Sequence, residues 1–232
     1  MKRLLTILAI ALITSSLYAQ VGELRNNLAV GFSGGYNLSS VDFSPTIKQG
    51  LLPGYTGGVT MRYTSEKYFS LICAAQLELN FAQRGWSETI DDGTNNTYSR
   101  TTNYIEIPFF AHLGWGKEER GLQFFVNAGP QIGLFLNDTE RYGFTQEYPW
   151  DTSQRPNNIT EQYGKAVENL LEYGIAGGLG MELKSAIGNF IVEGRYFFGL
   201  SDMYGNAKAD PFGRSANTTI TAKITYLIDI TK

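Results

Sequence analysis

The sequence predicts an all-β protein, an eight-stranded antiparallel transmembrane β-barrel with up-and-down topology. Three observations predict it. Eight segments alternate with period two between an apolar face and a face that is polar, aromatic or glycine. The connections between these segments are alternately short and long. The composition, with 26 Gly, 14 Tyr and 14 Phe among 232 residues, favours pleated strands over helices.

The eight predicted strands are separated by clear turn signals. They cover residues 28–38, 55–63, 69–84, 104–115, 122–136, 172–183, 189–198 and 219–228. Three short connections at residues 64–67, 117–120 and 185–188 alternate with four long ones at residues 39–53, 85–103, 137–171 and 201–217. Outer-membrane barrels have this arrangement, with short periplasmic turns and long extracellular loops.

The predicted strand at residues 122–136 shows the alternation most plainly. Its apolar face carries no hydrogen-bonding side chain, and its other face is polar, glycine or aromatic. The apolar face consists of Leu122, Phe124, Val126, Ala128, Pro130, Ile132, Leu134 and Leu136. A soluble ligand carrier would need a polar outside and an apolar inside, so these faces favour a barrel in lipid.

The stretch "NYIEIPFFAHLGWG", residues 103–116, combines an apolar run with a carboxylate, a proline and the only histidine. On a barrel strand its odd-numbered residues face lipid, and Glu106, Pro108 and His112 face the lumen. Pro108 cannot donate a ladder hydrogen bond, and Pro130 lies at a similar depth on the next strand. The sequence therefore predicts a bulge or a gap in the ladder between these two strands.

The inward faces carry a nearly balanced set of charges, which predicts a structural ion-pair network in the lumen. The predicted network is Arg62, Glu78, Arg84, Glu106, Glu182, Glu193, Arg195 and Lys223, and Glu172 lies on the same face. An eight-stranded barrel is just wide enough for side chains to fill it. We therefore expect a plug of paired charges and aromatic rings.

The sequence gives little indication of catalysis or of metal binding. His112 is the only histidine, and a hydrogen-bonded lumen residue is its simplest interpretation. Glu106 with Glu78 or Glu193 could form an acid–base pair, but pairing with lumen arginines is favoured. Cys73 is the only cysteine, so no internal disulfide is expected. We expect no cofactor, no metal and no catalytic residues.

The third long connection is the most distinctive exposed segment. It is acidic and rich in aromatic residues, and exposed aromatics on a long loop are typical of binding surfaces. The candidate binding surface is Tyr142, Phe144, Tyr148 and Trp150. The alternative is a loop that folds over the mouth of the barrel, and the sequence leaves both open.

The first residues have the features of a secretory signal peptide. Lys2 and Arg3 precede an apolar core of about ten residues, and a cut after Ala19 is expected. The predicted organisation is a signal peptide at residues 1–19 and an outer-membrane β-barrel domain at residues 20–232. Sec-type export and signal cleavage would then deliver the chain to the outer membrane of a Gram-negative bacterium. A net charge of −3 without a basic cluster argues against nucleic acid as a partner.

Several motifs resemble those of one known family. "YIEIPFF" at Tyr104, "NAGPQIGLFL" at Asn127, "YGIAGGLGMEL" at Tyr173 and "IVEGRYFFGLSDM" at Ile191 resemble the PorT-like outer-membrane β-barrel proteins of Bacteroidetes. "GFSGGYNLSS" at Gly31 is similar to that family's glycine-rich first strand. The resemblance implies an eight-stranded outer-membrane barrel. The family's namesake is an accessory of type IX secretion.

The leading functional hypothesis is therefore a non-enzymatic barrel with a side-chain-filled lumen. It would act through its extracellular loops or as an accessory of an envelope or secretion complex, with outer-membrane lipid around it. Two alternatives remain at this point: an enzyme embedded in the barrel, which predicts a cavity with converging polar residues, and a small pore, which predicts conductance.

Overall fold

The computed structural model describes residues 23–91, 93, 95–143 and 159–231. Nine strands make up these residues' regular structure, eight of them between 12 and 23 residues long. The strands are β1 Glu23–Ser44, β2 Gln49–Gly50, β3 Leu52–Tyr68, β4 Leu71–Glu88, β5 Thr97–Gly116, β6 Gly121–Gly143, β7 Leu171–Ser185, β8 Gly188–Gly199 and β9 Arg214–Asp229. The predicted signal peptide at residues 1–19 lies outside the described residues.

The eight long strands pair antiparallel in chain order, and the pairing closes on itself. β1 pairs with both β3 and β9, and β4 pairs with both β3 and β5. The order β4-β3-β1-β9-β8-β7-β6-β5 therefore returns to β4. This confirms the predicted all-β, antiparallel up-and-down sheet. The short β2 was not predicted, and it pairs with the last two residues of β4.

The long strands extend further toward the long connections than the alternation indicated. β1 runs on to Ser44, β4 to Glu88 and β6 to Gly143, while β5 already begins at Thr97. The predicted long connections at 39–53 and 85–103 are correspondingly shorter. Alternation marks only the part of a strand that faces lipid on one side, whereas the backbone ladder continues wherever a partner strand continues.

The turn between β3 and β4 also differs from the prediction. It lies at Phe69 and Ser70 and not at residues 64–67, because β3 continues to Tyr68 through an irregular register between Thr64 and Glu66. Phe69 adopts a positive φ of 54° and is exposed. The polar residues 64–67, "TSEK", thus belong to the end of β3 and not to a turn.

The ladder is interrupted at the prolines, as predicted. Between β5 and β6 the pairing stops after Pro108 and resumes at Ala111. Phe109 and Phe110 therefore have no ladder partner on β6, where Pro130 and Gly129 lie opposite them. Between β4 and β5 the same proline coincides with a second interruption. The register is unchanged across both gaps, which identifies them as missing hydrogen bonds and not as bulges.

The two faces of the closed sheet differ as a membrane barrel requires. Apolar side chains such as Phe109, Leu179 and Ile224 are exposed on the outside. Charged side chains of opposite parity on the same strands, such as Glu106, Glu182 and Lys223, are buried inside. This is the reverse of a soluble ligand carrier. Among the described residues no helix is long and apolar enough to cross a membrane.

Candidate functional site

The lumen is the most densely built polar region of the molecule, and it is filled in layers. The layer nearest the short turns is apolar, and it consists of Ala29, Phe125, Ile191 and Leu227. His112 lies against this layer with its ring centroid 4.8 Å from that of Phe125. Its Nδ1 shares a hydrogen bond of 2.8 Å with Asn127 Oδ1. The histidine is thus packed between an amide and an aromatic ring.

The first charged layer joins β3 to β7. Arg62 Nη1 lies 2.5 Å from Glu182 Oε2, and the same guanidinium donates to Gln76 Oε1 at 2.9 Å. Lys184 Nζ lies 3.9 Å from the other oxygen of Glu182. Lys184 is absent from the predicted network because the alternation appeared to end at residue 183.

The second charged layer is centred on Glu78, which holds two cations. Arg195 Nη2 and Lys223 Nζ lie 2.9 Å and 2.6 Å from its two carboxylate oxygens. Gln76 and Asn80 donate further hydrogen bonds to the same carboxylate. Arg195 also pairs with Glu193. Glu78 is therefore the residue on which most charges of the lumen converge.

The third charged layer is centred on Arg84. Its guanidinium pairs with Glu106 and, at 2.6 Å, with Glu172. Asn217 donates to the other oxygen of Glu172 at 2.7 Å. The Arg84 guanidinium also stacks over the ring of Phe197, 4.2 Å from the ring centroid. Arg84 on β4 thus connects to β5 and β7 through ion pairs and to β8 through the ring of Phe197.

All eight residues of the predicted network are buried, and each takes part in one of these three layers. Glu172 and Lys184 complete the set with five carboxylates and five cations. A cavity between the second and third layers has a volume of only about 10 Å³. That is about the space of one water molecule.

A second cluster closes the end of the barrel where the long connections lie. We call it the cap. Its buried members are Val41, Phe43, Ile47, Trp86, Tyr98, Ile159, Met203, Tyr204 and Phe212. The rings of Phe43 and Trp86 meet edge to face with centroids 5.2 Å apart, and Tyr204 stacks on Phe212 at 5.5 Å. Strand ends and three connections thus share one aromatic core.

Polar contacts fix the third connection to this cap. Arg100 is buried, and it lies 2.6 Å from Asp138 and 3.0 Å from Glu140. It also donates to the Lys165 carbonyl oxygen at 2.6 Å and to the Tyr204 hydroxyl at 2.9 Å. The part of the connection around Lys165 therefore folds over the mouth of the barrel.

A loop folded over the mouth was one of the two alternatives that the sequence left open. The aromatic cluster of the cap was not predicted, although one signal for it was present. Tyr98 and Arg100 have the same parity as Glu106, and Trp86 has the same parity as Arg84. Continuing the inward parity outward along β4 and β5 would have placed these residues inside. The packing between connections has no comparable periodic signal.

Only Tyr142 of the predicted loop binding surface lies within the described residues. Its ring packs on that of Tyr98 with centroids 5.3 Å apart, and its hydroxyl donates to Glu140. It is nevertheless 45% exposed. Phe144, Tyr148 and Trp150 lie outside the described residues. No group of three or more His, Cys, Asp or Glu side chains among the described residues is arranged to hold a metal.

Half-buried ion pairs connect strand ends and a turn at the end of the barrel that carries the short turns. Arg25 Nε and Lys67 Nζ lie 2.5 Å and 2.7 Å from the two carboxylate oxygens of Glu118. The hydrogen bond from Arg25, followed by that from Lys67, lowers the pKa of Glu118 to about 2. These contacts link the start of β1, the end of β3 and the turn between β5 and β6.

This carboxylate makes the stability of that end depend on pH. Because the pKa of Glu118 is lower in the folded state, its pairing stabilises the fold above the ordinary value of 4.5 and is lost as the pH falls toward about 2. We expect a carbon-detected NMR titration to give a pKa near 2 in the wild type and a value nearer 4.5 in an Arg25→Ala variant. Arg120→Ala, in the same turn, should leave the value unchanged. An ordinary pKa in the wild type would contradict the pairing.

Several solved structures of other proteins are similar to this chain at low sequence identity. The structure of OprG, an outer membrane protein from Pseudomonas aeruginosa, is similar at 9% identity, with 89% of this chain and 98% of that chain covered and a TM-score of 0.41. Neisserial surface protein A is similar at 8% identity, with 86% and 96% covered and a TM-score of 0.40. Ail, the attachment invasion locus protein of Yersinia pestis, solved with a heparin analogue, is similar at 13% identity, with 88% and 100% covered and a TM-score of 0.35.

Sequence comparison gives the family. No curated protein matches the chain. A family model described as an outer membrane protein beta-barrel domain matches residues 18–205, which is most of the chain. The chain therefore belongs to the outer membrane β-barrel domain family, and its place is the outer membrane.

Proposed function

We propose that this protein is a non-enzymatic outer-membrane barrel with a closed lumen that acts by binding partners at its loop end. The observation that carries the proposal is the filled lumen, where paired charges leave a cavity of only about 10 Å³. A small pore would need a continuous polar path, and the three charged layers occupy that path. What remains available for function is the outer surface.

The lumen also gives little support to the alternative of an embedded enzyme. Glu106 and Glu78 each pair with a cation, which makes them structural acceptors and poor candidates for an acid–base pair. His112 is buried beside Asn127 and Phe125 at the end opposite the long connections. A substrate arriving from outside would have to pass the cap and all three charged layers. We assign these residues a structural role.

The resemblance to PorT-like proteins supports a partner in the cell envelope. In this proposal the short turns face the periplasm, the long connections face the outside, and the eight long strands form the transmembrane barrel. The partner is an envelope or secretion-complex protein that contacts the loop end. Phe144, Tyr148 and Trp150 are the proposed contact residues, since aromatic side chains carry most of the energy in many interfaces.

The test is affinity capture of the tagged barrel from mild-detergent extracts of its own outer membrane. We expect a stoichiometric envelope partner with the wild type, and its loss when Phe144, Tyr148 and Trp150 are all replaced by serine. Trp115→Ser, on the lipid-facing surface at the short-turn end, is the matched control and should retain the partner. A barrel recovered alone would contradict the proposal, and so would a partner retained by the triple variant.

A further inference from the structure

The lipid-facing surface of the barrel contains a groove of about 560 Å³. It runs across five neighbouring strands, β9, β1, β3, β4 and β5, and its walls are two rows of apolar side chains. One wall is Phe32, Val59, Leu79 and Ile107, and the other is Ile228, Val30, Met61 and Leu77. The strand pairing aligns each row across the sheet, because Phe32 is paired with Val59 and Val59 with Leu79.

The floor of the groove is backbone. Gly31, Thr60 and Glu78 lie between the two walls and are paired with one another in a single row. The Thr60 and Glu78 side chains are buried on the lumen side of the sheet, and the Glu78 carboxylate is bound there by Arg195 and Lys223. They therefore cannot fill the groove from below.

Two further features keep this part of the wall open. Gly34 and Gly57 form the next row toward the long connections, and a Cβ added to Gly34 would meet no atom within 4 Å. On the side toward the long connections, no side chain of this row packs against Phe32 and Val59, because both residues of the row are glycines. At the other end, the groove reaches the gap between β4 and β5, where Glu78 and Pro108 make no ladder pair.

The position of the groove identifies its occupant. It lies on the face of the barrel that contacts the hydrocarbon of the outer membrane, and all eight wall side chains are apolar. We propose that the groove holds one acyl chain of an outer-membrane lipid. A flexible chain can follow a narrow concave channel, whereas a second convex barrel would touch it only along a line. Because lipid tails surround the whole barrel, packing contacts and not the hydrophobic effect select this site.

The proposal predicts a single retained lipid. Native mass spectrometry of the folded barrel in detergent, titrated with palmitoyl-oleoyl phosphatidylethanolamine, should show one lipid adduct well above the others. Val59→Trp, which enlarges a wall residue, should lower the apparent affinity by about tenfold or more, equivalent to about 1.4 kcal/mol of packing contacts. Val192→Trp is the matched control, since Val192 is an exposed lipid-facing valine on β8, away from the groove.

The outcomes separate the proposal from its alternatives. The slower migration of the barrel after heating in SDS reports folding for both variants, and Leu79→Trp replaces Val59→Trp if the latter does not fold. A graded series of adducts that is equal in all variants would mean a non-selective lipid coat and would overturn the proposal. A wild-type dimer that Val59→Trp dissociates would overturn it too, because the occupant would then be a second copy.

Discussion

Replacing Glu78 with alanine is expected to destabilise the folded barrel by about 3–5 kcal/mol. The reason is that Arg195 and Lys223 both pair with this carboxylate inside the lumen, and neither reaches solvent. The substitution would leave two buried cations to share Glu193. The measurement is the free energy of unfolding in lipid vesicles, from urea titrations followed by tryptophan fluorescence.

Glu119→Ala is the matched control for this measurement. Glu119 is exposed in the turn between β5 and β6, so its removal should change the free energy by less than about 0.5 kcal/mol. Glu78→Gln separates charge from shape, because the amide keeps the size of the side chain and loses the negative charge. If Glu78→Ala were no more destabilising than Glu119→Ala, the lumen pairs would not contribute to stability in the way the geometry implies.

The second large effect is expected in the cap. Trp86→Ala should cost the cap about 3–5 kcal/mol of local stability, because the indole is fully buried against Phe43 and Tyr98. The barrel below should remain intact, since its ladders and charged layers do not depend on this ring. Hydrogen exchange should therefore increase in residues 201–213 and 159–170 and stay slow in the membrane-spanning parts of β3 and β9.

Trp115→Ala is the control for the cap. Trp115 is a partly exposed, lipid-facing tryptophan near the short-turn end of β5, so its removal takes away a ring of the same size without touching the cap. Equal exchange at residues 201–213 in both variants would show that the connections do not depend on the aromatic core. Exchange that rose throughout the barrel would show that cap and barrel unfold together.

The sequence predicted the faces of the barrel because a strand between lipid and lumen must alternate. Glu106 and Arg84 could be placed inside from parity alone, and the interruption at Pro108 followed from its missing donor. The pairing of Glu78 with Arg195 could not be predicted, because it depends on the stagger between strands that are far apart in the chain. The packing of the connections into the cap could not be predicted either, since residues outside the strands have no periodic pattern.

The most direct test of the closed lumen is conductance of the purified barrel in planar lipid bilayers. A lumen sealed by Arg62, Glu78 and Arg84 with their partners predicts no steps above the bare membrane. The comparison is a triple variant with Arg84→Ala, Glu106→Ala and Glu172→Ala, which removes the whole third charged layer. Its conductance shows what a partly opened lumen would give. Regular, voltage-dependent current steps from the wild-type barrel would contradict the closed lumen and favour a pore.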